Sequence, residues 1–203
     1  MASEVDIANL ALSHLGDTAT VASLDPPEGS AQAEHCARFY SVARDTLLQS
    51  YAWSFATRRL SLAEVTSEWD AWDYCYAKPS DCLAVRAILP VGATDDSKTN
   101  FKDYVMEVNS SDADVIYTDE PNAICLYTRS TVDAGRFPPL FVLALSYQLA
   151  SLLAGPLIKG DAGSAEAKRC AQLALGWAGK AIEADANQRK VDNSFTPSWI
   201  EAR

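Results

Sequence analysis

The chain has 203 residues, 48% of them apolar, a formal net charge of −10 and a pI near 4.6. That length lets roughly 70% of the unfolded chain's surface be buried, so neither disulfides nor metals are needed to hold it together, and the apolar share excludes a disordered chain. The acidity speaks against a surface that grips phosphates, which relies on Lys and Arg, and it keeps an abundant protein soluble.

The N-terminus reads as a helix. Ser3 caps it with Asp6 as the capping-box acid, Ile7, Leu10, Ala11 and Leu15 form a stripe, and Gly16 stops it. Residues 17–29 are a loop with Pro26, Pro27 and Gly29. A long helix is expected from Ser30 to about Trp53, with Ala33, Cys36, Ala37, Tyr40, Ala43, Leu47, Leu48 and Tyr51 on one face.

The period then changes from helix to strand. Residues 54–62, 73–79, 82–89, 103–108, 114–119 and 123–129 alternate, with turn signals between them. They read as a meandering antiparallel sheet. Within "YAKPSDCLAV" (76–85), Pro79 suits the second position of a turn, followed by Ser80 and Asp81. Tyr74 and Tyr76 share one strand face and Cys75 takes the other. Trp53, Phe55 and Tyr76 are expected to fix the junction between the long helix and the strands.

From Phe137 to Ile158 there are 22 residues without a charge, a transmembrane candidate by length. Pro138 and Pro139 suit a helix's first turn, and Gly155-Pro156 is expected to end it. That leaves about 16 helical residues, or roughly 24 Å, short of a bilayer core, so a central buried helix is expected instead. A last helix is expected from about Gly163 to Asn187, with Ala165, Ala167, Leu173, Ala174, Trp177, Ala178 and Ala181 inward. The expected fold is α+β, mainly α: helices at about 3–53 and 138–187 pack as an antiparallel bundle, about 54–130 is an inserted antiparallel β-module, and 188–203 is an extended tail.

Chemistry-bearing motifs fail one by one. The five cysteines, at 36, 75, 82, 125 and 170, are an odd and scattered set, unlike a secreted disulfide framework, and no signal peptide opens the chain. They read as buried small hydrophobes in a protein folded in a reducing cytosol. His35 and Cys36 point to different faces of one helix, and Cys75 and Cys82 lack zinc-knuckle spacing. "GWAGKA" (176–181) is no phosphate loop, because Ala174 stands where its first glycine belongs and Ala181 where a Ser or Thr belongs. Acids such as Asp73, Asp81, Asp112 and Asp114 allow a carboxylate glycosidase to be written, but a solvated loop acid is the default. No catalytic residue, cofactor or metal ligand is assigned.

The ordered segments nevertheless form a pattern. "ANLALSHLGD" (8–17), "SLD" (23–25), "CARFYSVARDTLL" (36–48), "WSFATRR" (53–59), "YCYAKPSDCLAV" (74–85), "IYTDEPNAICLYT" (116–128) and "FPPLFVLALSYQLASLLAGPL" (137–157) follow one another. This order resembles the tail tubular protein A family of short-tailed phages, the head-to-tail adaptor (connector) proteins, over roughly residues 5–185. Arg44-Asp45, Trp53 with Phe55, and Tyr76, Pro79, Asp81, Cys82 and Leu83 in combination carry it. The resemblance implies a helical bundle with a β-module, and a dodecameric ring at the head-tail junction of the virion. It implies the portal protein above, the downstream tail (nozzle or tube) protein below, and the genome passing through the lumen. It also implies a host-cytoplasm stage during assembly and no catalytic residues. The acidity agrees, since a lumen that gripped DNA would stall ejection. Two other classes stay open: a tail-borne polysaccharide or cell-wall hydrolase, and a head-completion or stopper protein.

The tail "NSFTPSWIEAR" (193–203) falls outside the matching segments. Phe195, Trp199 and Ile200 are costly to leave in water and atypical of disordered tails. Arg203 adds a residue type enriched at interface hot spots, and Pro197 stiffens the segment. The tail is either a frayed terminus or a docking peptide for the portal or a neighbouring subunit.

Overall fold

Helix α1 (Glu4–His14) starts where expected. The Ser3 hydroxyl accepts from the Asp6 backbone at 3.1 Å and the Asp6 carboxylate accepts from the Ser3 backbone at 2.8 Å. Gly16, at φ 76°, closes the helix; its N–H donates to Ser13 O and that of Asp17 to Leu12 O, both at 3.1 Å, the paired bonds of a Schellman motif. The computed structural model describes residues 2–93 and 100–188. The buried face of α1 is Ile7, Ala8, Ala11 and Leu12. Leu10, expected inward, is 38% exposed, because it lies about 60° outside that arc at 100° per residue.

Helix α2 (Ala31–Ser50) begins at Ser30, whose hydroxyl accepts from Ala33 N at 3.2 Å. It ends before Trp53, not at it. The chain turns extended at Tyr51, and the Trp53 indole N–H donates back to Leu47 O at 2.9 Å, satisfying a carbonyl of the last turn.

Helix α3 (Pro139–Ile158) runs through Gly155-Pro156 rather than ending there. A proline so near the end forfeits one backbone bond and leaves the rest of the turn intact; Lys159 N still donates to Gly155 O at 3.1 Å. The stop comes from positive φ at Lys159 and Gly160. At 20 residues the helix is about 30 Å long, so length does not distinguish it from a membrane span. It is the one helix among the described residues apolar enough for that, with a mean hydropathy of 1.7 over its most apolar window. Its neighbours are α1, α2 and α4 (Gly160–Ala186).

Helix α4 begins three residues before the expected start. Gly163 is buried against α3, where a Cβ would come within 2.9 Å of Ala154 O; glycine is what allows the two backbones this close. Ala165 is exposed rather than inward, while Cys170 and Asp185 are buried.

The strands lie inside the expected segments: β1 (Thr57–Ser61), β2 (Tyr74–Ala77), β3 (Cys82–Leu89), β4 (Val105–Val108), β5 (Asp114–Thr118) and β6 (Ile124–Arg129). Their arrangement is not a meander. Two three-stranded antiparallel sheets form, in the orders β1-β6-β3 and β2-β5-β4. Alternation decides which face of a strand is apolar but leaves its partner open. Tyr76 and Ile116 of one sheet and Ile88, Cys125 and Tyr127 of the other share one buried cluster. Tyr76 therefore sits inside the β-module and not at the junction: its hydroxyl donates to Glu120 O at 2.9 Å. Cys75 lies on the other face with Val115 and Tyr117. Cys82 N donates to Pro79 O at 2.9 Å, which makes Pro79 the first residue of its turn rather than the second.

Candidate functional site

The docking residues expected in the tail, Phe195, Pro197, Trp199, Ile200 and Arg203, lie outside the described residues. The described chain leads toward them through α4 and ends at Gln188, and there it forms an apolar cleft of about 210 Å³. Trp53, Pro138, Pro139, Phe141, Asp185 and Gln188 are among its walls.

Local sequence explains this corner. Pro139 at the first helical position starts α3 without wasting an N–H and presents Phe141 one turn in. Trp53 meets Phe141 edge-on at 5.0 Å, and Phe55 meets Phe141 at 5.0 Å and Phe137 at 5.7 Å, the edge-to-face geometry that aromatic quadrupoles favour. Trp53 and Phe55 thus hold the expected junction, against the start of α3. Ser54 lies between them. Its backbone N–H donates to both Asp185 oxygens, at 3.1 and 3.2 Å, and its hydroxyl donates to Oδ1. Asp185 clamps the last turn of α4 onto this corner. A carboxylate there opposes the helix dipole, and an acid so placed among alanines is the one sequence signal that could have flagged it.

The cleft has a fixed floor, apolar walls and a carboxylate whose two oxygens are both engaged by Ser54. It suits an apolar side chain. The reactive groups sit elsewhere. All five cysteines are buried and unpaired. Burial pushes the thiols of Cys36 and Cys82 up to about 11 and that of Cys125 up to about 12, far from the thiolate form that reacts.

His14 and Ser146, 132 positions apart, form a pair that no sequence signal announces: Nε2 lies 3.0 Å from Oγ. The Ser146 hydroxyl is also within hydrogen-bond distance of Leu143 O, at 2.9 Å. His14 also stacks on Tyr147 with centroids 3.8 Å apart. The pair joins α1 to α3.

The acids singled out in the sequence are spread over the β-module. Asp81 accepts from the Tyr127 hydroxyl at 2.8 Å and pairs with Arg58 at 3.5 Å. Asp114 pairs with Lys78 at 2.8 Å. Asp73 N donates to Asp119 Oδ1 at 3.1 Å, and Asp112 holds a positive-φ turn position. Among the described residues no group of three His, Cys, Asp or Glu side chains is placed to hold a metal ion.

No protein-family model matches the chain, and no curated protein matches it.

Proposed function

We propose that the chain is a structural head-to-tail adaptor of a short-tailed phage virion. In this reading α1, α2, α3 and α4 form an antiparallel bundle with the β-module inserted between α2 and α3. Copies of the chain close into a ring, a dodecamer, between the portal protein and the downstream tail protein. The genome passes through the lumen without specific binding, and the protein acts without a catalytic residue, cofactor or membrane.

The observation that carries the reading is a sheet edge to which no further strand pairs among the described residues. β4 ends its sheet and exposes Met106 by 48% and Val108 by 59%. An apolar edge left uncovered invites pairing with another chain, and a ring offers each copy such a neighbour. The order of the segments through residues 8–157 that resembles the adaptor family, and the net charge of −10, support the same reading. The tail at 193–203 would then dock on the portal or on a neighbouring copy, and twelve copies would add avidity to a weak single contact.

The test is the mass of the purified protein alone and mixed with portal protein. A defined ring on the portal is expected, and Val108→Lys should keep the monomer folded while preventing the ring. Deleting residues 193–203 should leave melting nearly unchanged and weaken portal binding. A protein that stays monomeric with the portal would sink the adaptor reading, and a truncated protein that assembles as well as the full chain would reduce the tail to a terminus.

A further inference from the structure

The apolar cleft at the end of α4 is sized for one side chain. Trp53 and Phe141 are its buried floor, Leu140 and Ala184 are half-buried walls, and the exposed Gln188 stands at its rim. At about 210 Å³ it is smaller than the roughly 300 Å³ at which small-molecule pockets begin. Its one charged lining group is already engaged: both Asp185 oxygens accept from the Ser54 N–H, and Oδ1 accepts from the Ser54 hydroxyl as well. A ligand that depends on polar recognition finds little here, whereas an apolar side chain meets aromatic rings and methyl groups.

The chain itself supplies that side chain. The last described residue, Gln188, is part of the cleft wall, so residues 189–203 set out from the cleft's own rim. Arg189 and Lys190 come directly after a helix whose last turn has no basic residue, and cations are favoured at that end. Asp192, Asn193 and Ser194 are turn-forming residue types, and Phe195 follows them at once. The stretch from Arg189 to Ser194 can reach roughly 20 Å when extended, enough to leave α4, reverse and return to a cleft that begins at Gln188. A tether this short holds Phe195 at about millimolar local concentration, which a second copy or another protein must match from solution. We infer that Phe195 of the same chain fills the cleft, where it extends the aromatic contact between Trp53 and Phe141. It anchors the start of the tail and leaves Trp199, Ile200 and Arg203, beyond Pro197, for a partner. The anchor belongs to the single subunit and stands whether or not copies close into a ring.

Fluorine NMR of the full-length protein tests the anchor in two independent ways. With fluorotryptophan incorporated, the Trp53 signal, assigned by its loss in Trp53→Phe, should move in Phe195→Ser and stay in place in Trp199→Ser. With fluorophenylalanine incorporated, the Phe195 signal, assigned by its loss in Phe195→Ser, should lie away from the position of an exposed phenylalanine. A soluble paramagnetic agent should broaden it only weakly. Ala184→Trp, which fills the cleft from α4, should return the signal to the exposed position and raise the broadening severalfold. Dilution should change none of these signals, since the contact lies within one chain. A Phe195 signal at the exposed position, a Trp53 signal unmoved by Phe195→Ser or moved equally by Trp199→Ser, or protection that survives Ala184→Trp overturns the inference. Protection that fades on dilution does so too, because it would assign the cleft to the tail of a second copy.

Discussion

Arg86 on β3 donates from Nη2 to the Tyr51 carbonyl at 2.8 Å. The same nitrogen reaches Leu48 O at 3.2 Å and Gln49 O at 3.0 Å, and Nε donates to Thr128 Oγ1 at 2.8 Å. One side chain thus caps the end of α2 from the β-module, at the helix terminus where a cation is favoured. A bulge between Val85 and Ala87 in the pairing with β6 marks its position in the strand, and bulges re-aim side chains in this way.

Arg86→Met should destabilise the protein by about 1.5–3 kcal/mol, the usual range for hydrogen bonds to a charged group. Arg86→Lys should recover only part of that, because an ammonium cannot reproduce the fork. Denaturant midpoints check both. A midpoint unchanged in Arg86→Met would show that water caps α2 equally well.

Trp53→Ala should cost about 3–5 kcal/mol, enough to leave the subunit largely insoluble. Trp53→Phe keeps the aromatic contact with Phe141 but loses the indole bond to Leu47, and should cost about 1 kcal/mol for that bond in addition to the lost volume. Soluble yield and thermal melting separate the two variants; normal melting of Trp53→Ala would remove this residue from the junction.

The thiols should react slowly and sub-stoichiometrically with a disulfide reagent in the native state and fully after unfolding. They also set a high-pH limit. Burial holds Cys36, Cys82 and Cys125 protonated up to about 11, 11 and 12, against 9.0 when exposed. Above about pH 9 the unfolded chain loses these protons first, so stability should fall from there toward pH 12. Replacing Cys125 by Ala should flatten part of that decline. Fast reaction of all five native thiols would contradict their burial.

His14 acts at the other end of the scale. Burial, and then the charge of Arg169, pull its pKa below the ordinary 6.5. The unfolded chain therefore takes up this proton first, and stability should be lost as pH falls below about 6.5. His14→Gln, which keeps a side-chain amide to hydrogen-bond Ser146, should show a smaller loss between pH 6.5 and 5 than the parent. Identical pH profiles would mean that other groups govern the acid limb.

Local chemistry made much of the chain legible beforehand. The Ser3–Asp6 box, the helix starts at Ser30 and at Pro138-Pro139, the stripe Cys36–Tyr40–Ala43–Leu47 and the bounds of β3 each depend on residues a few positions apart, whose geometry the backbone itself dictates. The resemblance and the docking tail were also sequence readings. Tertiary packing alone decided that β6 lies between β1 and β3, that Tyr76 faces the second sheet, and that Asp185 meets Ser54 while His14 meets Ser146. In the last two cases the partners are more than 130 positions apart. Periodicity states which face of an element must be buried, but not what will cover it. A polar side chain's role depends on whether its partner arrives from elsewhere in the chain, as it does for Asp185.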